Sequence, residues 1–352
     1  MDVYQGKLPA ERHLGRFALF VAFWPQLVAG PIERGSQMLP QLRARHDFDY
    51  GRVASGLRLM AWGMFKKVVI ADRLALLVNP VFDHPHRFEG PLLLLAVAAF
   101  TGQIYADFSG YTDLARGAAR VLGYHLVLNF RQPYLATSVG DFWRRWHMSL
   151  SGWFRDYVYI PLGGSRAGTA RTQANVLMVF LLSGLWHGAS WTFVAWGALH
   201  GGYLVAESLT GPARAALGRW LGLPARPRLQ RLLGTAGTLA LVAYAWIFFR
   251  ANSLPDALYV ATHLFKGWGH SPVAQLPAAL AGLGRHFKAE LLVTAAAGAL
   301  LAFSDYRAER GSVAQWLAGW PAAGRWAGYA GLLLAMLYFG IFGSSQFIYF
   351  QF

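Results

Sequence analysis

The chain of 352 residues contains no cysteine, which excludes disulfides, thiolate-bound metal and an acyl intermediate carried on sulfur. Charge is scarce: 14% of residues are Asp, Glu, Lys or Arg, against about 25% in an average soluble domain. Acids are the rarer sign, 17 against 32 basic residues, for a net charge of +15. With 55% hydrophobic and 15% aromatic residues, little polar surface is left to clothe soluble domains, and the composition argues for a membrane protein. In so apolar a chain the basic excess belongs in cytoplasmic loops beside anionic lipid and does not call for nucleic acid. Motifs are missing too. There is no GxSxG, Walker loop or GxGxxG, which removes the usual serine hydrolase, nucleotide hydrolase and dinucleotide readings. There is no HExxH, and His84-Pro85-His86 stands alone, so no metal-ligand set is legible. No repeat, heptad array or low-complexity tract occurs. No signal peptide is expected, because the start has no basic region followed by an apolar stretch and a cleavage site.

A spanning helix needs about 17 to 25 largely uncharged residues at 1.5 Å each. Phe17–Ile32, Gly90–Ala106, Leu233–Phe249 and Trp326–Phe352 qualify, while Leu291–Ser304 is short for a span. Arg52–Arg73 is apolar but broken by Arg58, Lys66 and Lys67, so it reads equally as a span or as an interfacial helix. The run Thr172–Ala206 holds 35 residues without Lys, Arg, Asp or Glu. As one helix it would reach about 52 Å and overshoot a bilayer core of about 30 Å. It must break, and Gly184-Leu185-Trp186-His187-Gly188 is the natural place. A histidine is thereby set at membrane depth, where an ionisable group is a functional candidate. The alternative is a packing histidine hydrogen-bonded across helices, and His200 reads as such a residue. The arginine-rich stretch Gly211–Arg231 has no acid and reads as a cytoplasmic connecting loop.

The densest polar segment runs from Asp141 to Gly164. Ser138, three residues before Asp141, resembles a capping box and should start a short helix. On that helix His147 would lie one turn from Trp143 and Arg144 and one turn from Leu150 and Ser151. Alternating indoles and guanidinium groups also suit an amphipathic interfacial anchor whose arginines meet lipid phosphate. A second cluster, Asp107-Phe-Ser-Gly-Tyr-Thr-Asp113, is read as helix caps or as partners of Arg116 and Arg120. Pro25, Gly30, Pro31 and Pro40 break a helix near the interface.

Taken together, FWPQLVAGPIERGSQMLPQL, DFSGYTDLARG, NFRQPY, DFWRRWHMSLSGWFRDYVYIPLGG, GLWHGASWTFVAWGALHG, WIFFRA and the terminal QFIYFQF resemble the membrane-bound O-acyltransferase family. They are most similar to its bacterial branch of alginate O-acetyltransferases, with D-alanyl transferases of teichoic acid as relatives. The resemblance implies a single all-α domain over residues 1–352, a polytopic integral membrane protein of the bacterial inner membrane. Its helices would surround a central funnel or tunnel, with short interfacial helices. It further implies that several family helices precede the position where this sequence starts. The histidine of the WHG motif, His187, is the implied essential residue, and His147 of RWHMSLS the second. Trp186 beside His187 is a candidate to contact substrate.

The implied chemistry moves an acyl group, acetyl above all, from a thioester to a hydroxyl of an exported polysaccharide or to a periplasmic or extracellular partner that relays it. No cofactor is expected to be resident. The donor would be acetyl-CoA or another acyl thioester, with Arg144, Arg145 and Arg155 as candidate phosphate partners, an assignment for which lipid headgroups compete. An imidazole of ordinary pKa about 6.5 suits removal of the hydroxyl proton at neutral pH. His147 could orient that base, bind the acceptor or polarise the acyl carbonyl. A non-catalytic scaffold or a polysaccharide channel, in which the histidines pack or gate, is the alternative.

Overall fold

Most apolar runs of this chain become helices longer than the runs themselves. The computed structural model describes residues 1–27, 30–166, 168–268, 287–311, 313–342 and 347, and among them every regular element is helical. In order these are α1 (Leu14–Val21), α2 (Gly35–Arg43), α3 (Tyr50–Phe65), α4 (Asp72–Asp83), α5 (Pro91–Leu122), α6 (Val139–Trp143), α7 (Met148–Phe154), α8 (Thr169–His187), α9 (Trp191–Leu209), α10 (Gly211–Trp220), α11 (Pro227–Arg250), α12 (Leu254–His263), α13 (Phe287–Arg310), α14 (Val313–Ala318) and α15 (Ala322–Phe339). Wider π-type turns occupy Lys66–Ala71, between α3 and α4, and Arg155–Tyr159, after α7. By length and composition α5, α11 and Glu290–Arg310 of α13 are able to cross a membrane. The QFIYFQF motif lies outside the described residues except for Phe347.

The core is built on α5, whose Phe100 and Ile104 are buried with Val78 and Phe82 of α4, Trp196 of α9 and Trp246 and Phe249 of α11. α3 crosses α5 at two pairs of glycines. A Cβ on Gly56 would stand 2.7 Å from the Gly117 carbonyl, and one on Gly63 would stand 2.5 Å from that of Gly110. Only residues without a side chain let two helix backbones meet this closely.

Lys66 and Lys67, which interrupt the apolar pattern, are paired inside. The chain is helical without a break from Tyr50 to Asp83, and the π-type turn rotates both lysines of Lys66-Lys67 against α5. Lys66 reaches Asp113 at 2.7 Å and the Ser109 hydroxyl at 2.9 Å. Lys67 bridges Asp72 at 2.8 Å and Asp107 at 3.0 Å. The C-terminal part of Arg52–Arg73 is therefore packed in the helical core, while Leu57, Arg58 and Met64 stay exposed. Asp107 and Asp113 are not caps, since α5 continues nine residues past Asp113 to Leu122. Asp113 does pair with Arg116, at 3.5 Å, whereas Arg120 turns to the Ser55 hydroxyl.

Three further expectations change. Phe17–Ile32 is not one span, because α1 ends at Val21 and the chain turns through Phe23–Leu27, where Pro25 has no N–H to extend a helix. The apolar run 291–304 belongs to the 24-residue α13, long enough to cross, its charges confined to the ends. The arginine-rich connection is largely helical, in α10 and the first turns of α11, with a short turn at Leu223–Ala225 between them. The break expected in Thr172–Ala206 occurs just past His187, at Gly188-Ala189-Ser190.

Candidate active site

α8 and α9 form a tight antiparallel hairpin. A Cβ on Gly184 would stand 2.3 Å from the Phe193 carbonyl, and one on Gly197 would stand 2.2 Å from that of Phe180. The Ser190 hydroxyl caps α9 by accepting the Thr192 N–H at 3.3 Å. This geometry carries His187, the last residue of α8, into a set of rings. Its imidazole stands edge-on to Trp196 at 5.1 Å and to Phe249 at 5.1 Å, with Trp186 at 4.9 Å and Phe193 at 6.3 Å.

His147 arrives from the other side. The Ser138 hydroxyl accepts the Asp141 N–H at 3.1 Å and starts α6 as the capping pattern requires. That helix stops at Trp143, so His147 is not on a continuous helix. It occupies the residue before α7 in a left-handed conformation, φ 42° and ψ 53°, a geometry disfavoured for a non-glycine residue and found where surrounding contacts enforce it. Asn129, fully buried, supplies the enforcement. Its carbonyl accepts the Met148 N–H at 3.0 Å, and its Oδ1 accepts the Ser149 hydroxyl at 2.6 Å. Ser149 in turn accepts the Ile32 N–H at 3.0 Å, so the proline-rich GPIER segment docks onto the same turn. His147 is 4% exposed, its Nδ1 makes no hydrogen bond among the described residues, and its ring meets Phe108 at 4.7 Å.

The two histidines, forty residues apart in sequence, are joined through Trp186, whose ring lies 6.4 Å from His147 and 4.9 Å from His187. The α6–α7 segment climbs along α11 toward them. Thr137 lies against Gly234, and Trp146 meets Trp246 at 5.1 Å with the rings tilted by 51°. Beside His187, Gly188, Ser190, Thr192 and Phe193 line a cavity of about 550 Å³ that also touches Asp83 and Arg250.

The arginines are not gathered at the histidines. Arg145 is held by Asp141 at 3.0 Å and Glu309 at 2.8 Å. Arg144, largely exposed, lies 3.7 Å from the same Asp141, and Arg155, also exposed, pairs with Asp156 at 2.8 Å. His200 is fully buried and accepts the Trp143 indole N–H at 3.2 Å, a packing histidine as expected. Outside the helices that could span, Glu33 has its carboxyl pushed above the usual range by burial, partly offset by the Val127 N–H it accepts at 2.6 Å and by nearby Arg116. Asn129, Phe249, Asp83 and Arg250 escaped the sequence reading. The motifs NFRQPY and WIFFRA contained three of them, but spacing alone assigns such residues no partner.

The sequence model of MBOAT, the membrane-bound O-acyltransferase family, matches residues 11–221. The chain is 42% identical over 274 residues to "Probable alginate O-acetylase AlgI" of Azotobacter vinelandii, covering 76% of this chain and 52% of that protein. The counterpart of the same name in Pseudomonas aeruginosa is also 42% identical, over 271 residues, 76% of this chain and 49% of the relative. A "Peptidoglycan O-acetyltransferase" of Helicobacter pylori is 39% identical over 250 residues, 70% and 46% of the two chains. The chain thus spans about half the length of the curated relatives it matches. With a family match over more than half its length and both histidine motifs meeting at one aromatic enclosure, the chain belongs to the membrane-bound O-acyltransferase family.

Proposed function

We propose that this protein is a membrane O-acyltransferase that moves an acetyl group from a thioester to hydroxyls of an exported polysaccharide, directly or through a periplasmic or extracellular relay protein. The observation that carries the reading is the meeting of His147 and His187 around Trp186, beside a polar cavity. His187 is the base. As the acceptor oxygen attacks the acyl carbon, the hydroxyl proton passes to the imidazole. The C–S bond then breaks, and the leaving sulfur takes that proton, giving ester and thiol. The C-terminal end of α8 places partial negative charge beside the imidazolium that forms. General base catalysis of this kind supplies about 10² to 10⁴ in rate, or roughly 3 to 5 kcal/mol. His147, pinned by the Asn129 turn, approaches from the α6–α7 side to orient the acyl carbonyl or the base.

The arginine-rich α10 and the start of α11 orient that end of the bundle toward the cytoplasm of the bacterial inner membrane. The histidines and the cavity then lie toward the outer end, where the acceptor is. Arg144 and Arg155, each with a single carboxylate neighbour, are the arginines available to phosphates of an acetyl-CoA type donor or of lipid. The test is His187→Ala introduced at the chromosomal locus, with acetate released from the exported polymer by alkali as the readout. Ester content should fall nearly to zero while the protein still inserts. Unchanged ester with altered polymer export would replace the transferase by a channel or scaffold.

A further inference from the structure

α4, α8 and α11 all end around the cavity beside His187, and their ends carry charge that the transfer chemistry leaves unused. Arg250, 7% exposed, donates through Nη2 to Asn79 Oδ1 at 3.0 Å and Asp83 Oδ1 at 3.2 Å, and through Nη1 to Asn252 Oδ1 at 3.3 Å. Its positive charge is thereby answered within the cluster. Asp83 differs: its carboxylate is 48% exposed, both of its contacts fall on Oδ1, and Oδ2 has no partner among the described residues. The Ser190 and Thr192 hydroxyls line the same cavity, and Phe193 adds an aromatic wall.

The cavity is large enough for a ligand, at about 550 Å³ against roughly 300 to 1,000 Å³ for small-molecule sites. Gly188, the residue after His187, lines it, and so does Phe193, whose ring stands 6.3 Å from the His187 imidazole. It also lies at the far end of α11 from Arg228 and Arg231, a 24-residue helix of about 36 Å. A ligand there meets hydroxyls, amides, one open carboxylate oxygen and an aromatic face, which suits a polyol with C–H faces. A carboxylated sugar is disfavoured, since Asp83 would repel it and Arg250 has already spent its guanidinium face on Asp83 and Asn79. Phosphate is disfavoured on the same ground.

Resting on the transferase reading, we infer that this cavity holds a neutral sugar residue of the acceptor, with Asp83 Oδ2 accepting from sugar hydroxyls and so presenting a neighbouring hydroxyl to His187. Asp83 is thus a substrate-binding and specificity-determining residue. The test is calorimetric titration of the purified full-length protein with chitotriose and maltotriose, both neutral, and with a mannuronate trisaccharide. At least one neutral sugar should bind the wild-type protein. That affinity should fall tenfold or more in Asp83→Asn, which keeps an oxygen for Arg250, and severalfold in Asn252→Ala. The uronate should bind at least tenfold more weakly than the neutral sugar and should gain on Asp83→Asn. Equal binding of neutral and acidic sugars, no binding of either neutral sugar, or no effect of Asp83→Asn at an unchanged melting temperature overturns the inference. Sugar binding that depends on Asp83, in a protein whose polymer ester is insensitive to His187→Ala, would instead sink the transferase reading and leave the cavity assignment standing.

Discussion

Gly184→Ala adds a single methyl group one turn before His187. That Cβ would stand 2.3 Å from the Phe193 carbonyl oxygen and 2.9 Å from its carbon, both backbone atoms. Restoring an ordinary contact of about 3.4 Å requires α8 and α9 to separate by roughly 1 Å. Neither helix can yield by a rotamer change, so the separation moves His187 away from Trp196 on α9. Overpacking of this kind costs about 1–3 kcal/mol, and a displacement of about 1 Å in a catalytic group can cost about 10²-fold in rate. Gly202→Ala is the control, on the same α9 but with nothing within 4 Å of its Cβ. It should be neutral or stabilise the helix by up to about 1 kcal/mol. The assays are tryptophan-fluorescence melting of the purified full-length protein and acetyl ester content in cells. Gly184→Ala should melt lower and lose most of its ester, and Gly202→Ala should do neither. A Gly184→Ala protein with wild-type melting and wild-type ester would refute the hairpin contact and the argument built on it.

Lys67→Met should destabilise by about 3–5 kcal/mol, because it removes the ammonium that bridges the buried carboxylates of Asp72 and Asp107; Asp107→Asn in the same protein should restore part of the loss in denaturant titration. Asn129→Ala removes the acceptor that holds Ser149, and it should cost about 1–3 kcal/mol and reduce ester formation as strongly as His147→Ala. Glu33, whose pKa is raised by burial, favours the folded state most when protonated, so its contribution is full below the ordinary value of 4.5 and is lost as pH rises through the raised one. Glu33→Gln should therefore raise the melting temperature at pH 7 and leave it unchanged at pH 4; an equal effect at both would show that the carboxyl is not desolvated.

Much of the site could be read before any coordinates. The 35 uncharged residues Thr172–Ala206 exceed what one span can hold, so a break was forced, and Gly184-Leu185-Trp186-His187-Gly188 was its natural place. Ser138 and Asp141 announced the start of α6. What could not be read depends on partners distant in sequence. A charge inside an apolar run normally marks a helix end, yet Asp107, buried, and Asp113, half-buried, sit mid-helix because Lys67 and Lys66 are rotated onto them by a π-type turn that no local propensity announces. The left-handed turn at His147 is likewise hidden. It exists because Asn129, eighteen residues earlier, accepts bonds from the residues that follow. The phosphate-binding reading of Arg145 rested on residue type alone, and Glu309 and Asp141 occupy that guanidinium.

The central claim is that the imidazole of His187 takes the proton of the hydroxyl being acylated. It is tested most directly by following labelled acetyl from acetyl-CoA into polymer ester in membranes that carry wild-type protein or His187→Ala at equal abundance. Transfer should fall by at least 10²-fold in the variant, with unchanged insertion and unchanged melting. Transfer at the wild-type rate without that ring would contradict the claim.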